Sequence, residues 1–132
     1  MPIRRPMYNH FTERVVQLMD GRTAPKILDI AAGGGEPSFS IARSLPEAHI
    51  VCTDLSDNMI AKAHERASEL GLTNVECRVM DGEDMSSFPD GTFDCVTMSY
   101  GKFPHPWRDA RPLLGILVYL RLGMGKPTPV GP

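Results

Sequence analysis

Three consecutive glycines and an acid near each end of the run are the residues of this chain most suited to holding a ligand. Gly33, Gly34 and Gly35 follow a short apolar segment and precede a segment with helical periodicity. A glycine-rich turn between a strand and a helix lets a ligand approach the backbone, because no Cβ blocks it and the first amides of the helix are free. The run therefore predicts a ligand-binding turn, although many α/β proteins use glycine there for structural reasons alone.

A more distant acid makes the prediction more specific. Asp54 ends the next apolar segment, nineteen residues after Gly35. An acid at a spacing of about 20 residues accepts hydrogen bonds from the ribose hydroxyls of a nucleotide-type cofactor. The glycine turn and Asp54 together predict a site for a cofactor that contains adenosine.

Two such cofactors fit the pattern unequally. A dinucleotide fingerprint needs a third glycine at position 38, but Ser38 stands there, directly after Pro37. S-adenosylmethionine carries a sulfonium and an amino group instead of phosphates. The carboxylates of Asp29 and Glu36, which flank the turn, would attract these cations and repel a pyrophosphate. The residues favour S-adenosylmethionine and leave an NAD(P)-dependent oxidoreductase as the alternative.

A parallel sheet is needed to bring these side chains together. Apolar segments bounded by turn residues predict strands at 26–30, 49–53, 75–80 and 93–98. Helices are predicted around residues 11–19, 39–45 and 60–70. This order predicts an α/β fold, a Rossmann-like three-layer sandwich with a mainly parallel sheet, truncated after about the fourth strand. In such a sheet ligands bind at the carboxyl ends of the strands, where Asp29, Asp54 and Asp81 would lie.

The predicted helices have recognisable ends. Asn9 is suited to cap the first helix, and Ser56 to cap the third. The inner face of the third helix is predicted to carry Ile60, Ala63, Ala67 and Leu70, and Gly71 to end it.

The composition narrows the function classes. With 14 basic and 16 acidic residues and a net charge of -2, the chain has no basic field for nucleic acid. The three cysteines lie in predicted strands and are expected to be buried, reduced thiols, and no residue spacing supports a metal site. The apolar run at 113–122 is about half the roughly 20 residues of a membrane helix. Arg4 and Arg5 are followed by no apolar stretch but soon by acids, unlike a signal or transit peptide, so a cytoplasmic protein is the expectation.

The sequence changes character near Pro104. Six of the 12 prolines fall in the last 29 residues, where Asp109 is the only acid. We therefore divide the chain into a domain at 1–101 and a divergent Pro/Gly-rich tail at 102–132, in which only residues 113–122 are expected to pair as a strand or form a short helix. An altered reading frame, a splice variant or a divergent ending would each give such a tail. The edge of the fourth strand is then expected to be open.

Four segments in order resemble the motifs of class I S-adenosylmethionine-dependent methyltransferases. Residues 27–37 (ILDIAAGGGEP) are similar to motif I, and residues 54–56 (DLS) to the motif that follows. Residues 81–84 (DGED) and 88–94 (FPDGTFD) resemble the next two, as they occur in the branch of ubiquinone and menaquinone biosynthesis methyltransferases. The resemblance covers about residues 8–101 and is far more specific than any single motif.

The resemblance implies a set of cofactor contacts. Asp29 would hold the methionine amino end through the turn, Gly33 and Gly35 would let the cofactor pass, and Asp54, followed by Leu55, would bind the ribose. Asp81 would accept from the adenine amino group and the Gly82 amide would donate to the ring, while Ser99 would lie nearest the transferred methyl. Ala31 stands where the family motif has its first glycine. The catalytic residues stay unassigned.

The resemblance also implies the class of acceptor. Residues 99–102 (SYGK) lack the proline-rich, aromatic-ended motif of the methyltransferases that modify nucleic-acid amines. A small-molecule acceptor is therefore predicted. The resemblance ends near residue 101. Two alternatives therefore stay open: a methyltransferase whose activity is weak or absent in this chain, and a non-catalytic cofactor-binding fragment.

Overall fold

A computed structural model describes residues 6–30, 32–82, 87–89 and 92–98. It also describes the backbone of three short strands at 112–113, 116–120 and 128–129, and the backbone alone at residues 6–11. The helices are α1 (Pro6–Leu18), α2 (Ser38–Ser44) and α3 (Asp57–Glu69). The strands are β1 (Lys26–Ile30), β2 (His49–Asp54), β3 (Val75–Val79), β4 (Cys95–Met98), β5 (Pro112–Leu113), β6 (Ile116–Leu120) and β7 (Thr128–Pro129).

The first four strands form the predicted parallel sheet. They lie in the order β3-β2-β1-β4, with β1 parallel to both β2 and β4, and β2 parallel to β3. Asp29 of β1 is in register with Cys52 of β2 on one side and with Thr97 of β4 on the other. The carboxyl ends of β1, β2 and β4 therefore meet at one edge of the sheet, which confirms the α/β architecture expected from the sequence.

The sheet continues beyond β4 with antiparallel strands. Strand β6 pairs with β4 from Cys95↔Leu120 to Met98↔Leu117, and β5 and β7 pair with the far side of β6. The expectation that the edge of β4 would be open is therefore wrong. The run at 113–122 had no alternation of apolar and polar residues to identify its partner, and pairing satisfies the backbone groups that an open edge would expose.

The two faces of the sheet are packed differently. On one face α1, α2 and α3 cover side chains that include Ile27, Ile50 and Cys52. On the other face Leu28, Val51 and Met98, among others, pack with Phe93 and Phe88. In the described part of the chain all helices lie on the first face, so the third layer of the predicted sandwich is not among these residues.

The helix ends agree with the sequence only in part. The Ser56 hydroxyl accepts a hydrogen bond from the Met59 amide at 3.2 Å, which confirms the predicted cap of α3. Helix α1 begins at Pro6, so the prediction that Asn9 caps it is wrong. Leu70 is 41% exposed and does not belong to the inner face, because α3 has already ended at Glu69. Within the described residues no helix is long and apolar enough to cross a membrane.

All three cysteines are free thiols. Cys52 and Cys95 are buried as predicted, whereas Cys77 on β3 is only partly buried. Burial raises the pKa of the Cys52 thiol and raises that of Cys95 to about 12. These thiols therefore stay protonated at neutral pH, as expected for core residues.

Candidate cofactor site

The glycine turn after β1 has a backbone that favours glycine at two positions. Gly33 and Gly35 have φ values of +59° and +111°, which side chains rarely tolerate. A Cβ at Gly35 would come within 2.3 Å of the Phe39 ring. Gly35 is thus required by close packing of the turn on its own helix, which is the structural use of glycine that the sequence left open beside the cofactor role.

The exposed part of the turn is at its centre. Gly34 is exposed, and a Cβ there would meet nothing within 4 Å. The Gly35 carbonyl accepts the first helical bond, from the Phe39 amide at 2.8 Å, so α2 begins directly behind the turn. A ligand at this edge of the sheet would therefore meet the backbone at Gly33 and Gly34.

Asp54 lies across the turn at the end of β2. Its Oδ2 accepts a hydrogen bond from the Gly33 amide at 2.9 Å, and its Oδ1 accepts one from the Ser56 amide at 3.0 Å. Each carboxylate oxygen has a second acceptor direction, so both retain capacity for a ligand hydroxyl. Asp54 is only half-buried. It is therefore placed both to hold the turn and to accept hydrogen bonds from a bound ligand.

An exposed apolar side chain stands beside this carboxylate. Leu55 is 68% exposed, the largest exposure among the large apolar side chains of the described residues. An apolar group next to a carboxylate suits an adenosine, which offers a flat apolar ring and a polar ribose. The cofactor-binding roles of Asp54 and Leu55 stay predictions.

Asp29 lies underneath the turn, fully buried. Its Oδ2 accepts a hydrogen bond from the Ser38 hydroxyl at 2.6 Å, and its Oδ1 accepts one from the Thr97 hydroxyl at 2.8 Å. Burial raises the pKa of the Asp29 carboxyl from 3.8 to about 6, and the two hydroxyls oppose that rise. Asp29 is therefore mostly ionised at neutral pH, and its link to the turn passes through Ser38.

The partners of Asp29 are not among the residues predicted from the sequence. Ser38 stands out there only because it breaks the dinucleotide fingerprint, and Thr97 carries no local signal. Thr53, also not among them, donates its hydroxyl to the Asp29 carbonyl at 2.9 Å. Thr97 is 68 residues from Asp29, so only the β1/β4 register brings the two together.

The remaining predicted residues have different positions. Asp81 and Gly82 follow β3 at the same edge, with Asp81 exposed and Gly82 half-buried. Glu36, the second acid of the turn, is bound by the Ser40 hydroxyl at 2.7 Å and lies 3.9 Å from Arg43. Ala31 and Ser99 lie outside the described residues.

The geometry fits the cofactor that the sequence favours. An exposed glycine turn, a half-buried carboxylate beside an apolar side chain and a further acid at Asp81 converge at one edge of the sheet. The turn carries two carboxylates, Asp54 bound to the Gly33 amide and Glu36 bound to Ser40, and their negative charge disfavours a pyrophosphate there. Fold and site together define the class: a cofactor-binding domain of the S-adenosylmethionine-dependent methyltransferase type.

Comparison with known families agrees with this class. Residues 27–118 match the family described as "Methyltransferase domain". The chain belongs to this family of S-adenosylmethionine-dependent methyltransferases. The matched range includes the turn, Asp54 and Asp81, and it extends past residue 101, where the sequence placed the start of the tail.

Individual relatives point the same way. The ubiquinone/menaquinone biosynthesis C-methyltransferase UbiE of Pseudomonas putida is 32% identical over 130 residues, covering 92% of this chain and 49% of the relative. The YcgJ protein of Bacillus subtilis has a similar structure, with a TM-score of 0.61 and 26% identity over 72% of this chain and 39% of that one. A methyltransferase of Aquifex aeolicus shares the fold at a TM-score of 0.55 and 16% identity, over 74% of this chain and 70% of that one.

These findings confirm the predicted family and its cofactor, S-adenosylmethionine. They give no support to the dinucleotide-dependent alternative. The chain spans about half the length of the curated relatives it matches.

Proposed function

We propose that the protein transfers a methyl group from S-adenosylmethionine to a small-molecule acceptor. The observation that carries the proposal is the position of Asp54, which binds the Gly33 amide and keeps acceptor capacity at the edge of the sheet where the turn is exposed. In a methyltransferase that is where the ribose of the cofactor would lie.

The described residues support a binding and orienting role. When bound, the cofactor supplies a methyl group that a sulfonium already activates, so the protein has mainly to bind both reactants and align them. In this proposal Asp54 accepts hydrogen bonds from the ribose, Leu55 packs against the adenosine, and Asp81 and Gly82 bind the adenine. The backbone at Gly33 and Gly34 borders the methionine part, and Ala31 and Ser99 keep their predicted roles as cofactor neighbours.

A carbon atom of a small, ring-containing molecule is the proposed acceptor. The name of the Pseudomonas putida relative, a C-methyltransferase of quinone biosynthesis, supports carbon methylation of a quinone-like precursor. The net charge of -2 supports a small molecule over a nucleic acid. We also propose a cytoplasmic location, as expected from the sequence.

Transfer of label is the test of this proposal. The chain would be incubated with S-adenosylmethionine labelled in its methyl group and with a metabolite extract, and the products separated by size and polarity. Label in a small apolar compound, strongly reduced with Asp54→Ala when the cofactor is below saturation, is the expected result. Label only in RNA or protein would refute the acceptor class, and binding of the cofactor without any transfer would favour the non-catalytic fragment.

A further inference from the structure

Three buried hydroxyl groups converge on Asp29 beneath the glycine turn. Ser38 and Thr97 donate to the two carboxylate oxygens at 2.6 and 2.8 Å, and Thr53 donates to the backbone carbonyl at 2.9 Å. All four residues have no solvent exposure. A charged group so far from water depends on such donors, and the backbone amide of Ser38 adds to the two hydroxyls that stabilise its ionised form.

The two carboxylate hydrogen bonds lead to two different elements, helix α2 and strand β4. Thr97 is the register partner of Asp29 on β4, one residue before that strand ends at Met98. Ser38 is the first residue of α2, three positions after Gly35. The carboxylate therefore connects β4, just beyond which Ser99 is predicted to lie nearest the transferred methyl, with the helix that begins behind the glycine turn.

We propose that Thr97 and Ser38 are positioning residues, which hold the Asp29 carboxylate beneath the glycine turn and thereby set the affinity of the site for its cofactor. The inference rests on the proposed function, and in it neither hydroxyl touches the cofactor. Their effect passes through Asp29, whose negative charge lies under a site for a cationic ligand.

Protonation of Asp29 would disrupt this arrangement. A neutral carboxyl group has its own O–H donor, so one of the two hydroxyls would lose its acceptor and have to rotate. Burial is the main cause that raises the Asp29 pKa to about 6, and the hydroxyls of Ser38 and Thr97 lower it. Without one of them the carboxyl would be partly neutral at physiological pH.

The charged and titratable groups around Asp29 do not replace the hydroxyls. Glu36 of the turn is an acid and raises the Asp29 pKa further. Cys52 on β2 and Cys95 on β4 are thiols whose own pKa values are raised, chiefly by burial and next by Asp29. Arg43, at the far end of α2, lies beside Glu36. Among the described neighbours, therefore, hydroxyl donors rather than a cation stabilise the Asp29 charge.

The test compares Thr97→Val, which keeps the shape and loses the hydroxyl, with Thr97→Ser, which keeps the hydroxyl. Two quantities are measured on the full chain: the titration midpoint of the Asp29 carboxyl carbon by NMR, and the affinity for S-adenosylhomocysteine by calorimetry across pH. Thr53→Val is the control for the midpoint, because it removes an equally buried hydroxyl that does not bind the carboxylate.

We expect Thr97→Val to raise the midpoint by about one to two pKa units, and Thr97→Ser and Thr53→Val to leave it nearly unchanged. Near pH 7 the affinity of Thr97→Val should fall by about tenfold. The deficit should shrink at about pH 9, where the carboxyl is ionised again. Ser38→Ala should behave like Thr97→Val.

Two results would overturn the inference. One is a wild-type midpoint in Thr97→Val, and the other is a deficit in affinity that is the same at every pH, since that indicates a structural defect alone. Failure of the wild-type chain to bind S-adenosylhomocysteine would instead refute the proposed function. The NMR midpoints would then still decide whether the hydroxyls control the Asp29 carboxylate.

Discussion

The Asp29→Asn variant should gain stability relative to wild type as the pH rises from acid to neutral. The substitution keeps the shape of the side chain and removes its charge. The Asn oxygen can accept from one of the two hydroxyls at Ser38 and Thr97, and its NH₂ group can donate to the other. The hydrogen bonds can therefore re-form, and the cost of the buried charge is lost.

The magnitude follows from the shift in the pKa of Asp29. Burial raises it from 3.8 to about 6, so the folded state binds this proton more tightly than the unfolded chain does. The stabilising contribution of the proton is complete below about pH 4 and disappears as the pH rises through about 6. At about 1.4 kcal/mol per pKa unit, the two units correspond to about 3 kcal/mol.

Urea denaturation at pH 4, 5, 6, 7 and 8 measures this difference. The free energy of unfolding of the Asn variant minus that of wild type should increase by about 2.5 kcal/mol between pH 4 and pH 8, since the unfolded carboxyl is already partly ionised at pH 4. Other carboxyl groups titrate equally in both proteins, so their contributions cancel. A difference that does not change with pH, or that falls as the pH rises, would refute the assignment of Asp29 as a buried, mostly ionised group.

Four further substitutions, one of them a control, test the glycine turn, the cap of α3 and the exposed Leu55. Gly35→Ala should lower the free energy of unfolding by about 2 to 4 kcal/mol, because of the positive φ and the Phe39 ring. The control Gly34→Ala, with open space around it, should lower it by under about 1 kcal/mol. Equal losses in urea denaturation would contradict the packing role of Gly35. Ser56→Ala should cost about 1 kcal/mol through loss of the α3 cap, and no change would exclude the cap. Leu55→Ala should change the free energy of unfolding by no more than about 0.5 kcal/mol, since Leu55 is exposed. It should weaken the binding of S-adenosylhomocysteine several-fold, as measured by calorimetry. An unchanged affinity would show that Leu55 is not part of the site.

The parallel part of the fold could be predicted because its signals are local. Two short apolar runs, which contain Asp29 and end at Asp54, and a glycine turn between them are sufficient to predict β1, β2 and the edge of the sheet proposed to bind the cofactor. The cap at Ser56 was likewise predictable, because a hydroxyl before a helical segment acts within three residues.

Long-range pairing could not be predicted in the same way. The bond from Thr97 to Asp29 depends on the register of β1 and β4, and the pairing of β6 with β4 depends on a strand with no alternating pattern. The packing of Phe39 on Gly35 was easier to predict, since the two residues are four positions apart at the start of a helix. An Asp followed two residues later by Ser also indicates the turn in which Asp54 accepts from the Ser56 amide.

Calorimetric titration of the chain with S-adenosylhomocysteine and, separately, with NADH tests the central claim most directly. The chain should bind S-adenosylhomocysteine and not NADH. Asp54→Ala should weaken that binding by about 5- to 150-fold, which corresponds to roughly 1 to 3 kcal/mol for a ribose hydroxyl left without its acceptor. Binding of NADH without S-adenosylhomocysteine would contradict this claim.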